Sequence, residues 1–184
     1  IICATPTAGS SGTLPGVIAS LEKRLNLDED ALVRFLFTAG GFGLVIANHA
    51  GIAGATGGCQ AEVGSASAMG AAAAVEAAGG TPQQCAEALS IAISNLLGLV
   101  CDPIAGLVEV PCVKRNAIGA ANALVSADLA LAGCVSIIPA DECIMALDKV
   151  GKSMPAALRE TGIGGLAGTP TGQAIKAKIF GKDA

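Results

Sequence analysis

The chain has 184 residues, enough for one domain with a substantial core, and carries a formal net charge of −4 with no basic stripe interleaved with aromatics, which argues against nucleic acid as a partner. Its hydrophobic fraction of 52% includes only 2% aromatic residues and no Trp or Tyr, so the core is built mainly from Ala, Val, Leu and Ile. The 25 glycines and tracts such as GAAAAVEAA imply helices packed through small residues.

Helix punctuation is frequent along the chain and strand punctuation scarce. Pro15 lies near the start of a first helix that ends near Leu25, and Asn26 with Glu29 three positions later reads as a capping box opening a second. That helix runs through ALVRFLFTAG into a glycine-broken continuation. The residues between Arg34 and Glu62 carry no formal charge, a stretch longer than the roughly 20 residues of a membrane span. Gly40, Gly41, Gly43, Asn48, His49 and the glycines that follow make its second half too polar for a stable apolar helix, so buried helices without a membrane are expected. The opening residues lack the basic start and apolar core of a signal peptide.

Further on, Cys59 precedes a helix over about 62–78, stopped by Gly79 and Gly80. Thr81 and Pro82 open the next, with Cys85, Leu89, Ile93 and Leu96 at helical spacing, and it should end just before Cys101 because Asp102-Pro103 cannot easily continue it. The segment 103–111 reads as a loop, with LVEV a candidate extended stretch. Helices over 116–132, from Pro139 to Gly151, from Ser153 to Gly162 and from Thr169 to Gly181 complete an all-α chain of a single compact domain, 1–184, with glycine-rich loops.

Seven cysteines form an odd number without the framework of a secreted domain, so a reducing cytoplasm is the expected setting. Cys85 and Cys134, among apolar helical residues, read as small buried hydrophobes, and Cys3 and Cys143 also as structural. Cys59, Cys101 and Cys112 instead fall at helix ends or in a loop, where a helix dipole favours the thiolate. Their spacing is not that of clustered ferredoxin or zinc-ribbon ligands, and by itself leaves open whether they are ligands or core residues.

The surrounding strings narrow this. GCQAEVGSA around Cys59, GLVCDPIAGLVEVPCVKRNA around Cys101 and Cys112, and the late LRETGIGGLAGTPTG resemble the iron-sulfur-dependent bacterial L-serine dehydratases, in particular the alpha chain of their two-subunit form, over nearly the whole sequence. Complete alpha chains of that family are longer at the amino end, so this sequence is expected to be the carboxy-terminal part of one. The resemblance implies that Cys59, Cys101 and Cys112 hold a 4Fe-4S cluster whose fourth iron is open. It also implies elimination of water from L-serine to give pyruvate and ammonia, without pyridoxal phosphate, in an oligomer containing a beta chain. Single-chain members carry a terminal cysteine that can fill the fourth iron position; this sequence ends KIFGKDA, so water, a small anion or a partner would fill it.

Other polar residues are weighed singly. Arg115 is a candidate clamp for the substrate carboxylate, against a surface arginine. Glu62 is a candidate acid or base, against ordinary first-turn electrostatics. Asp102 and Asn116 read as structural, the second as a helix cap. Thr7, Ser10 and Ser11 of TPTAGSSG are substrate-contact candidates on the strength of the resemblance, and GIGGLAGTPTG a second wall of the site. His49 reads as a hydrogen-bonded core group, so a histidine needed for proton transfer would come from the beta chain or from outside this sequence. Readings that compete with serine dehydration are a related cluster-dependent cysteine desulfidase, a non-enzymatic zinc or iron-sulfur protein, and a metal-free interaction subunit.

Overall fold

The structure is a computed structural model that describes residues 1–181. Eight α-helices occur among them and no strand: α1 Thr13–Leu25, α2 Glu29–His49, α3 Gly54–Gly57, α4 Ser65–Ala77, α5 Pro82–Leu96, α6 Cys112–Leu131, α7 Ala140–Ser153 and α8 Pro170–Phe180. The all-α class read from the sequence holds.

Helix α4 is the axis of the fold. Every residue from Ser65 to Val75 is buried, because its side chains are mostly small and its polar ones are short serine hydroxyls, that of Ser67 donating to the Gly119 carbonyl, so it can be surrounded closely. Around it stand α1 with Leu14 and Val17, α2 with Phe35 and Ile46, α5 with Leu89 and Ile93, and α6 with Ala123 and Ala127. The predicted starts at Thr81-Pro82 and Thr169-Pro170 are observed, each threonine hydroxyl accepting from a backbone N–H of the first turn.

Several boundaries differ from the sequence expectation. Asn26 closes α1 in a left-handed conformation, and Asp28 caps α2 by accepting from the Ala31 N–H at 2.8 Å. Helix α2 is not broken at its glycines: it runs unbroken to His49, because Phe35, Ala39, Gly43 and Ile46 form one stripe against the core. It is the one described helix long and apolar enough to cross a membrane, yet that stripe is buried while Leu36, Phe37 and Leu44 are exposed. His49 is exposed at its end, bonded to the Val45 carbonyl, and is not a core group. Helix α5 stops at Leu96, four residues short of Val100, and Gly98 turns the chain at φ 85°. Residues 108–110 form a turn with no extended stretch, and the helix expected between Ser153 and Gly162 is a single 3-10 turn, Ala156–Leu158. Cys134 is exposed, because α6 ends at Leu131 before reaching it, whereas Cys85 and Cys143 lie in the core.

Between α3 and α4 the backbone makes a π-helical turn, Gln60–Gly64, of the wide kind that recurs at functional sites. The Gln60 side chain is fully buried and donates to the Leu147 carbonyl while accepting from the Gly98 N–H, both at 2.9 Å. This joins the π turn to α7 and to the loop after α5. Gln60→Leu fills similar space but leaves both backbone groups unpaired, and is expected to cost about 2–3 kcal/mol in a denaturant titration.

Candidate active site and metal centre

Three separate segments bring Cys59, Cys101 and Cys112 to one place. Cys59 stands at the head of the π turn with helical backbone angles. Cys101 lies in an isolated bridge with Arg159: its N–H donates to the Leu158 carbonyl at 2.8 Å, and its own carbonyl accepts from the Glu160 N–H at 2.7 Å. Cys112 is the first residue of α6 and not part of a loop, since the helix begins directly after Pro111. All three are free and between 2% and 6% exposed.

The electrostatics of the thiols reflect this enclosure. Burial pushes the Cys59 thiol up to about 12, opposed by the Arg115 guanidinium and reinforced by Glu62 and Cys112. Cys101 is raised by burial, then by Cys59, Glu160, Glu62 and Cys112, and Cys112 is raised by burial, then by Glu62. Desolvation thus outweighs the helix-end effect expected from the sequence, and without a bound cation the thiols are held protonated. Cys59 and Cys101 pack together around Val63, the Glu62 carboxyl lies between the Cys101 Sγ at Gly54 and the backbone at Gly9, and Gly9 and Cys112 line one cleft, so the three segments meet around Glu62.

The donor set fits a three-cysteine cluster. Three thiols become good ligands once a cationic centre replaces their protons. The other four cysteines are either exposed or in the main core. Among the described residues no group of three or more Cys, His, Asp or Glu is spaced to grip a single metal ion.

The other candidates surround this point unequally. Glu62 is 7% exposed, and its Oε1 accepts from the Thr7 hydroxyl at 3.0 Å. Burial raises its carboxyl, opposed by the Thr7 bond and aided by Glu160. Arg115 is not a surface arginine: Nη1 donates to the Val100 carbonyl and to Asp102 Oδ1, both at 2.7 Å. Asp102 Oδ2 accepts from the Leu166 N–H at 2.7 Å, so one buried carboxylate ties Arg115 to the GIGGLAGTPTG loop. Gly165 permits this contact, since its φ is 60° and a Cβ there would strike Asp102. Ser10 is fully buried and bonds to the Thr5 and Thr7 carbonyls, so it shapes its own turn. Ser11 lines a cleft of about 440 Å³ with Gly9, Cys112 and Asn116.

Two residues here carry more than the sequence reading gave them. Asn116 is no helix cap. It lies a turn inside α6, where its amide donates to the Gly9 and Cys112 carbonyls and accepts from the Gly12 N–H and the Thr13 hydroxyl, all within 3.0 Å. Every bonding position of the amide is used, and they pin the TPTAGSSG turn to the helix that begins with Cys112. The second is Glu160, which received no role from the sequence. Its backbone is left-handed, φ 63°, and its carboxylate lies near the Cys101 thiol, across the Gly54 backbone. No local pattern marks either contact.

Residues 1–167, which include every one of these groups, match the family described as serine dehydratase alpha chain. The chain belongs to that family. It is 72% identical over 183 residues to a probable L-serine dehydratase alpha chain of Latilactobacillus sakei, covering 100% of this chain and 88% of that one. It is 65% identical over 180 residues to the probable L-serine dehydratase alpha chain of Bacillus subtilis, covering 98% of this chain and 60% of the relative. To the L-serine dehydratase alpha chain of Peptoniphilus asaccharolyticus it is 57% identical over 175 residues, covering 95% and 60%. The chain thus spans three fifths of the length of two of these relatives. The residues 182–184, on which the expectation about a terminal ligand bears, lie outside the described residues.

Proposed function

We propose that this chain is the cluster-bearing part of an iron-sulfur L-serine dehydratase, with Cys59, Cys101 and Cys112 as ligands of a 4Fe-4S cluster. The observation that carries the reading is the convergence of three buried free thiols from three segments beside Glu62 and Arg115, in a chain whose relatives are named L-serine dehydratase. The relatives' names favour serine over cysteine as the substrate. When bound, the cluster supplies an iron with an open position, a Lewis acid that suits loss of the β-hydroxyl.

The protein groups then divide the remaining work. Arg115 holds the substrate carboxylate through the guanidinium donors that Asp102 leaves free, and Asp102 fixes the plane of that guanidinium. Glu62, oriented by Thr7 and raised by burial, takes up a proton. Ser10 keeps the Thr7 turn in place and Ser11 borders the approach. In the reaction the Cα–H and Cβ–O bonds break and water leaves. The enamine formed tautomerises to an imine, and water returns to release pyruvate and ammonium. No pyridoxal phosphate takes part.

The assembly is an oligomer with a beta chain, in the cytoplasm, with no membrane or nucleic acid. The exposed apolar side of α2 supports contact with other chains of the assembly. Product analysis of the anaerobically reconstituted enzyme, with its beta chain, tests the reading: L-serine should give pyruvate and ammonia in equal amounts. Faster release of sulfide from L-cysteine would establish a desulfidase instead, and a loaded cluster without turnover would establish a non-enzymatic protein.

A further inference from the structure

Glu160 adopts an unusual conformation in an unusual place. Among the described residues it is one of three non-glycine residues with positive φ, and its backbone is locked by the bridge that also positions Cys101. Left-handed backbone disfavours a side chain as long as Glu, and such residues gather where a side chain must be aimed. Here it is aimed at Gly54. The point where a Gly54 Cβ would stand has the Cys101 Sγ at 2.9 Å, the Glu160 Oε2 at 3.2 Å and the Glu62 Cδ at 3.3 Å. Two carboxyl groups and a ligand thiol therefore share one small space.

Among the described residues the ion pairs are Arg24–Asp128, Arg34–Glu76, Arg115–Asp102 and Lys152–Asp148, so neither Glu62 nor Glu160 has a basic partner. Glu62 is bonded to Thr7, whereas among the described residues no donor is bonded to the Glu160 carboxylate. An amino acid bound beside the cysteines brings both a carboxylate and an ammonium group. Arg115 answers the first, and Glu160 is the half-buried anion left to answer the second.

We propose that Glu160 is the specificity residue that receives the α-ammonium group of the substrate, an inference that rests on the serine dehydratase reading. It restricts the site to α-amino acids with a free amine and rejects the corresponding hydroxy acids.

The test uses the reconstituted enzyme with its beta chain, L-serine as substrate and L-glycerate, which has a hydroxyl in place of the ammonium, as competitive inhibitor. Glu160→Gln should raise KM for L-serine about 10- to 100-fold, the worth of one charged hydrogen bond, and leave inhibition by L-glycerate within about twofold. Glu160→Gly, which suits the left-handed backbone, should melt no lower than the unaltered protein while showing the same loss of discrimination. Equal changes toward serine and glycerate, or none toward either, would overturn the assignment. An unaltered enzyme that fails to turn over L-serine at all would instead overturn the dehydratase reading, and this inference with it.

Discussion

Replacement of any one of Cys59, Cys101 and Cys112 by Ser is expected to prevent stable cluster assembly and to lower L-serine turnover by at least about a thousandfold, the scale of losing a catalytic metal's charge stabilisation. The three are not redundant, because the remaining described cysteines stand elsewhere: Cys85 and Cys143 in the core, Cys3 and Cys134 at the surface. A Ser hydroxyl is a poor ligand for iron and, in so enclosed a place, is a buried polar group without a partner. Cys85→Ser serves as the control. It should cost fold stability yet leave iron and sulfide content per folded molecule unchanged. Iron analysis and the cluster's visible absorption check both outcomes, and a Cys101→Ser protein with full iron and activity would contradict the ligand assignment.

The second large effect is expected at Asp102. With side-chain exposures of 3% and 15%, Asp102 and Arg115 form a largely buried pair, and removing one partner leaves the other's charge uncompensated. Asp102→Ala is expected to lose about 3–5 kcal/mol in chemical denaturation. It also frees the Leu166 N–H, so protease cleavage within residues 160–169 should quicken. Asp102→Asn retains an acceptor for one of these bonds and should cost less. A joint change of Asp102→Leu and Arg115→Met should be milder than Asp102→Ala, since no charge is then stranded. A loss below about 1 kcal/mol for Asp102→Ala would show that water, not Asp102, satisfies Arg115.

What was legible beforehand follows the range of the forces involved. Thr81-Pro82 and Thr169-Pro170 announced their helices because a cap and a fixed φ act within one turn. The run of small residues through Ala74 announced a buried helix because it carries no charge and few polar groups. The cysteine trio was legible only through its flanking strings, as its spacing alone carries no ligand signature. Asn116 was misread because asparagine is a favoured cap, whereas its amide is used on residues more than a hundred positions away. The continuity of α2 was missed because each interior glycine costs about 1 kcal/mol, and packing of Phe35 and Ile46 on the core offsets that cost invisibly. Glu160 left no trace in propensity or period, since its meaning comes from Gly54 and Cys101.

Mössbauer spectroscopy of the anaerobically reconstituted protein, with and without L-serine, addresses the central claim most directly. The expected result is a 4Fe-4S cluster with one iron distinct from the other three, and a change confined to that iron when L-serine is added. Four equivalent irons that ignore L-serine, or no cluster at all, would contradict it.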